Sequence, residues 1–198
     1  MPGYKSIICI LSVILLTFAD KNMTIDLQWL PSTDIDKIDE IDFSKILNHT
    51  FFLDVIDKRT TGNEIGRNEE DKDKGLIKKV FTKSDITSFI KTNTNKCLSK
   101  YAIELSGKES ADITIQLEVL DYYVLEESTY KGMLKTKVTL LSKEGNSLVK
   151  TLTVGESKPW GKSFSKDNYL NALSNCIIEN TSAILSNKEV QNALNEMK

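Results

Sequence analysis

Histidine is nearly missing: His49 is the only one in 198 residues. A Ser-His-Asp or Cys-His catalytic site would have to use it, and no G-x-S-x-G elbow accompanies it. A histidine-built metal site fails for want of partners. Cysteine is scarce too. Cys9, Cys97 and Cys176 stand far apart with no C-x-x-C spacing, which leaves zinc-ribbon and dithiol redox chemistry unsupported. No basic stripe exists. Lys78, Lys79 and Lys83 are offset by Asp71 and Asp73, and the formal net charge is −2, so a nucleic-acid surface is set aside. Glycine-rich tracts, internal repeats and cofactor fingerprints are absent, and no cofactor is expected.

Long apolar runs are equally rare, with one exception at the start. Lys5 precedes Ile7 to Leu16, and Thr17-Phe18-Ala19 closes the run with small residues at its first and third positions. A positive start, a short apolar middle and a small-residue end read as a secretory signal peptide over residues 1–19. The run falls short of the roughly 20 residues that span a bilayer. The expected address is therefore outside the cytoplasm: periplasmic, outer-membrane-associated or secreted. Membrane association is expected only if the chain is lipidated or keeps its leader.

After the leader, residues 20–50 read as a lead-in or tether and residues 51–198 as one α+β domain. Thr24 to Leu30 alternates apolar and polar residues before Pro31 interrupts it. Phe51 to Ile56 is a short aromatic and β-branched strand. The polar stretch from Thr60 to Lys74, with Gly62 and Gly66, reads as a mobile surface loop. Ser84-Asp85 caps a helix whose stripe runs Ile86, Phe89, Ile90, Asn93, Cys97 and Tyr101. Ile113, Ile115, Leu117 and Val119 alternate with polar residues, as in a strand covered on one side. Met133–Ser142 and Ser147–Val154 form a hairpin about Lys143-Glu144-Gly145-Asn146. A long helix starts near Asp167, with Tyr169, Leu170, Leu173, Ile177, Thr181 and Ile184 on one face. Ser186-Asn187-Lys188-Glu189 reads as a capping box for a last short helix. One-faced helices and one-faced strands bury each other most simply as a two-layer sandwich, an antiparallel sheet with two long helices on one face.

Candidate site residues follow from these placements. Cys97 and Cys176 are an even pair in an exported chain. A bridge would close a loop of about 80 residues and add about 4 kcal/mol on the chain-entropy model; two buried free thiols are the alternative. Asp57 and Arg59 end the first strand and suit a structural anchor. Tyr122, Tyr123, Tyr130 and Trp160 suit an aromatic partner surface, against an alternative of core and edge packing. The carboxylates Glu69, Glu70, Asp71 and Asp73 lack the spacing of a calcium loop, and Glu126-Glu127 reads as turn surface.

Phe52-Leu53-Asp54-Val55-Ile56-Asp57-Lys58-Arg59 followed by Ile65-Gly66, with Tyr130–Val154 and Trp160–Leu194 in order behind it, resembles the YajG-like bacterial envelope lipoproteins over about residues 50–198. The resemblance implies an α+β domain at the cell envelope with no established catalytic role. One departure is that Asp20, not a cysteine open to acylation, follows the leader. The function expected is a non-enzymatic interaction or assembly module with an envelope protein or lipid partner. A binding module for a small amphiphile and an exported carboxylate-based hydrolase are the alternatives.

Overall fold

The computed structural model describes residues 22–34, 46, 48–158, 161 and 164–196. The leader and Trp160 lie outside them. In chain order the elements are β1 (Met23–Thr24), β2 (Thr50–Asp57), β3 (Glu64–Asp71), β4 (Leu76–Phe81), α1 (Ile86–Lys100), β5 (Glu104–Leu105), β6 (Ile113–Glu126), β7 (Tyr130–Ser142), β8 (Ser147–Glu156), α2 (Lys166–Leu185) and α3 (Lys188–Glu196). The fold is α+β: an open eight-stranded sheet with helices packed against it.

The sheet is mixed rather than wholly antiparallel. β6, β7 and β8 form the expected antiparallel meander. β2, however, runs parallel to β6, from Phe51 opposite Ile113 to Asp57 opposite Val119. Connectivity explains the difference. The chain leaves β2, passes through α1 and returns beside it, and a helical crossover joins strands that point the same way.

β3 also runs parallel to β6, from Gly66 opposite Val124 to Asn68 opposite Glu126. β2 and β3 therefore share one edge of β6 and lie end to end, a single strand interrupted by residues 58–63. From Asp57 to Gly66 the chain advances nine residues while β6 advances five. A bulge between Val119 and Asp121 sits on β6 at the same height. It shifts the alternation by one: Ile113, Ile115, Leu117 and Val119 point inward before it, and Tyr122, Val124 and Glu126 after it.

Both long helices cover the inward face, as the apolar stripes require. α1 rests on β2, and α2 lies across β7 and β8 beside α1. α2 sits unusually low. A Cβ on Gly155 would fall 2.1 Å from the Asn180 nitrogen and 2.3 Å from the Cys176 oxygen. One on Gly132 would fall 2.5 Å from the Ala172 oxygen. The Asn180 side chain pegs the helix down by donating to Leu134 O (3.1 Å) and Thr153 Oγ1 (3.2 Å) and accepting from Thr136 Oγ1 (3.2 Å). The segment after β1 crosses this helical layer as a strap. Ile25 is buried, Leu30 N–H donates to Ser174 Oγ (3.0 Å), and Ser32 N–H to Asn175 Oδ1 (3.0 Å).

Two local expectations are corrected. The polar stretch Thr60–Lys74 is not a surface loop, because most of it is β3, paired with β4 as a hairpin around a 3-10 turn at Lys72–Lys74. Glu64, Arg67, Asp71 and Lys74 are held in ion pairs, while Ile65 enters the core. The last helix is capped by Asn187, whose Oδ1 accepts from Glu189 N–H (2.9 Å) and Val190 N–H (3.2 Å). Ser186 instead closes α2.

Candidate functional site

The most exposed apolar side chains of the described sheet stand together on one edge. Leu152 is 57% exposed and Val154 42%, two residues apart on β8. Among the described residues β8 pairs only with β7. The ladder fixes which way its backbone points. Ser157 N–H donates to Gly132 O (2.9 Å), and Gly155 and Thr153 face Leu134 and Thr136 in the same register. Alternation then turns the N–H and C=O groups of Leu152 and Val154 away from β7. Thr153 and Gly155 point inward beneath α2, while Lys150, Leu152, Val154 and Glu156 share the outward face and are all exposed. Their floor is polar: Leu152 adjoins Lys137, whose Nζ is 2.6 Å from Glu118 Oε2, and Val154 adjoins Lys135. A bare edge with two apolar side chains and no proline or bulge between them is a template for another strand.

The tyrosines expected to form a partner surface are not one patch. Tyr122 and Tyr130 are fully buried. Tyr122 donates to Leu173 O (3.2 Å), and Tyr130 packs edge-on to Tyr169 at 5.1 Å and accepts from Ser165 N–H (3.0 Å). The β6 bulge is the reason, since it puts Tyr122 in phase with the core and Tyr123 on the other face. Tyr123 Oη donates to Glu64 Oε1 (2.6 Å) and accepts from Arg67 Nε (2.5 Å). Glu64 also takes Lys79 Nζ at 3.0 Å. Burial alone would raise the Glu64 pKa, but bonds from Tyr123, Lys79 and Arg67 outweigh it and hold the carboxyl below its usual range. Trp160 lies outside the described residues.

Asp57 and Arg59 meet at the interruption between β2 and β3. Arg59 Nε and Nη2 grip Asp57 at 3.0 and 2.9 Å, and Nη2 also donates to Gly62 O (2.8 Å). The Arg59 side chain is only 2% exposed. It also lies near Asp121 on the β6 bulge, whose pKa is raised chiefly by burial and lowered in part by Arg59. The guanidinium closes the jog where two strands meet end to end.

Cys97 and Cys176 are free, buried thiols and not a disulfide. Cys176 donates to Leu173 O (3.2 Å) beneath α2, whereas Cys97 meets Thr181, five residues further along α2. The two sulfurs thus occupy different levels of the helical layer. Burial pushes the Cys97 thiol up to about 11 and Cys176 higher still. Neither forms thiolate near neutrality. We expect Cys97 and Cys176 to ignore a thiol-reactive dye in the native protein and to react together once it is unfolded in guanidinium. Native labelling of either at the rate of free cysteine would contradict this burial.

Glu126 and Asp71 are held by neighbouring side chains. Glu126 is not turn surface: it is 2% exposed at the end of β6 and accepts from Tyr169 Oη (3.1 Å), because the shifted alternation turns it inward. Asp71 is paired with Lys74 (2.8 Å). No group of three or more metal-ligating side chains occurs among the described residues, and none of their helices is long and apolar enough to cross a membrane. His49 stands just before β2 with its N–H on Ile46 O (3.2 Å). The β8 edge escaped the sequence reading because alternation identifies a strand but not its neighbours. The signal that was present is the exposed series Lys150, Leu152, Val154, Glu156 set against Thr151, Thr153, Gly155.

An interrupted parallel strand, an antiparallel meander and two helices on one face define a mixed-sheet α+β class. The fold is similar to that of protein XCC0632 from Xanthomonas campestris, described as of the DUF330 family: the TM-score is 0.55 at 7% identity, covering 89% of this chain and 97% of that one. A second structure, of an uncharacterized protein, gives 0.52 at 11% identity over 83% and 97%. At such identities the likeness is one of fold. No family model matches the sequence, and no characterised protein does.

Proposed function

We propose that this chain is an exported, non-enzymatic interaction module that docks an extended segment of a partner protein along β8. One observation carries the reading: among the described residues no strand lies beyond β8, and its Leu152 and Val154 are exposed with their backbone groups turned away from β7, while α3 packs on β8 with Asn187 Nδ2 3.4 Å from Thr151 Oγ1. The apolar leader and the resemblance of residues 50–198 to YajG-like envelope lipoproteins support the envelope setting. A small amphiphile held between helices and sheet has less support. At Gly132 and Gly155 the helix backbone already occupies the space such a ligand would need. The groove beside Trp29 is of about 360 Å³, but Lys96 lies over the Trp29 ring and bonds Asn93. A carboxylate hydrolase finds its best acid, Glu126, buried against tyrosine.

Proline at position 154 separates docking from folding. The Val154 N–H makes no ladder bond, so Val154→Pro should leave the thermal midpoint within about 3 °C of wild type. A photo-crosslinking residue at position 152, in cells of the organism that makes the protein, should yield a discrete adduct that Val154→Pro abolishes. The same residue at exposed position 108 should yield none. Absence of any adduct at 152 would overturn the reading.

A further inference from the structure

The outward series of β8 is complementary to itself, and we infer that the partner segment is β8 of a second copy of this chain. The inference rests on the docking role just proposed and narrows it to one occupant. In an antiparallel pair related by a two-fold axis, position i of one copy faces position j of the other with a constant sum, and only residues with outward backbone groups bond across. Lys150, Leu152, Val154 and Glu156 are those residues.

Three registers keep this parity near the exposed pair. An axis at Leu152 sets Lys150 against Val154 of the other copy. An axis at Val154 sets Leu152 against Glu156, and Lys150 against Lys158. An axis at Thr153 sets Leu152 against Val154 and Lys150 against Glu156, each twice by symmetry. Across Lys150 to Glu156 only this last register matches apolar with apolar and cation with anion, and beyond them it sets Leu148 against Lys158. Like charges or a buried mismatch weigh against the other two.

Glu156 already has a neighbour in Lys131 at 3.2 Å, but both side chains are about half exposed and that pair is worth little by itself. Joining the edges would run one sheet through both copies and remove the bare edge from each. α2 lies over both β7 and β8, so the two copies of α2 would flank the axis on the same face. A contact of one strand per copy is small, so association should be concentration-dependent.

Charge exchange tests the register. All four side chains are exposed, so the variants should melt as wild type does. In sedimentation equilibrium of the protein purified from the cells that make it, wild type should move from one chain mass toward two as concentration rises. Lys150→Glu or Glu156→Lys alone should weaken association at least about tenfold, or 1.4 kcal/mol. The double variant K150E/E156K should regain it. An equimolar mixture of the two single variants should also associate. One of them carries two glutamates at these positions and the other two lysines, so both cross-strand pairs would join opposite charges. Wild type that stays monomeric to about 1 mM, far weaker than stable pairing, overturns the inference. So does a single variant that dimerises like wild type, or a mixture that does not associate. A monomeric wild type with a heterologous adduct at position 152 overturns self-pairing alone; a monomer with no adduct removes the docking role as well.

Discussion

Replacing Gly155 with valine should leave no cooperative unfolding transition, and Gly155→Ala should lose about 3 kcal/mol, the upper end of ordinary overpacking. The reason is where the new atom would go. It meets the Asn180 nitrogen at 2.1 Å and the Cys176 oxygen at 2.3 Å, and both are helix backbone that cannot swing aside as a side chain can. α2 would have to rise from β8, and its lift would strip Asn180 from Thr136, Thr153 and Leu134 O at once. Gly145→Ala is the matching control. That glycine has φ 83° in the β7–β8 turn with nothing within 4 Å, so its replacement costs only the left-handed backbone, about 1 kcal/mol. Urea titrations of the two alanine variants decide the matter. Equal midpoints would mean that α2 does not rest on the β8 backbone.

Arg59→Ala should lose about 2–3 kcal/mol, a large effect for a residue in a connection between strands. Truncation would strand the Asp57 carboxylate, free the carbonyl of Gly62, and withdraw one of the two cations that favour ionisation of the half-buried Asp121. Asp57 is about one-third exposed, and water recovers part of that loss, which keeps the figure below the range for a fully buried pair. Arg59→Lys should recover less than half. A point charge cannot hold both Asp57 oxygens and a carbonyl as the planar fork does. The same urea titration reads both variants, and an R59A protein as stable as wild type would show that the jog holds itself.

Much of this architecture is legible in the chain because periodicity is local. The alternation from Ile113 to Val119, the Gly145-Asn146 turn and the stripes at Ile86–Cys97 and Tyr169–Ile184 each declare an element, and each stands where its pattern puts it. What escapes is what depends on neighbours. β3 is written in Glu, Arg and Asn, which look like a loop until Lys79 and Tyr123 arrive from other strands to satisfy Glu64. The direction of β2 is set by the crossover through α1, not by its residues. The bulge at Leu120 decides that Tyr122 is core and Tyr123 is not, and a pair of adjacent tyrosines carries no mark of that choice. That no described strand lies beyond β8 is a property of the rest of the sheet and is not written in the residues of β8.

The unbridged sulfurs have a practical corollary. A described fold in which Cys97 and Cys176 each settle for a neighbour within the helical layer has no oxidation step between them to wait for. It should reach full stability in the reducing interior of an ordinary expression host, and added dithiothreitol should leave its melting curve where it was. If residues 1–19 direct export as proposed, transport would decide where the protein works and have no say in how it folds.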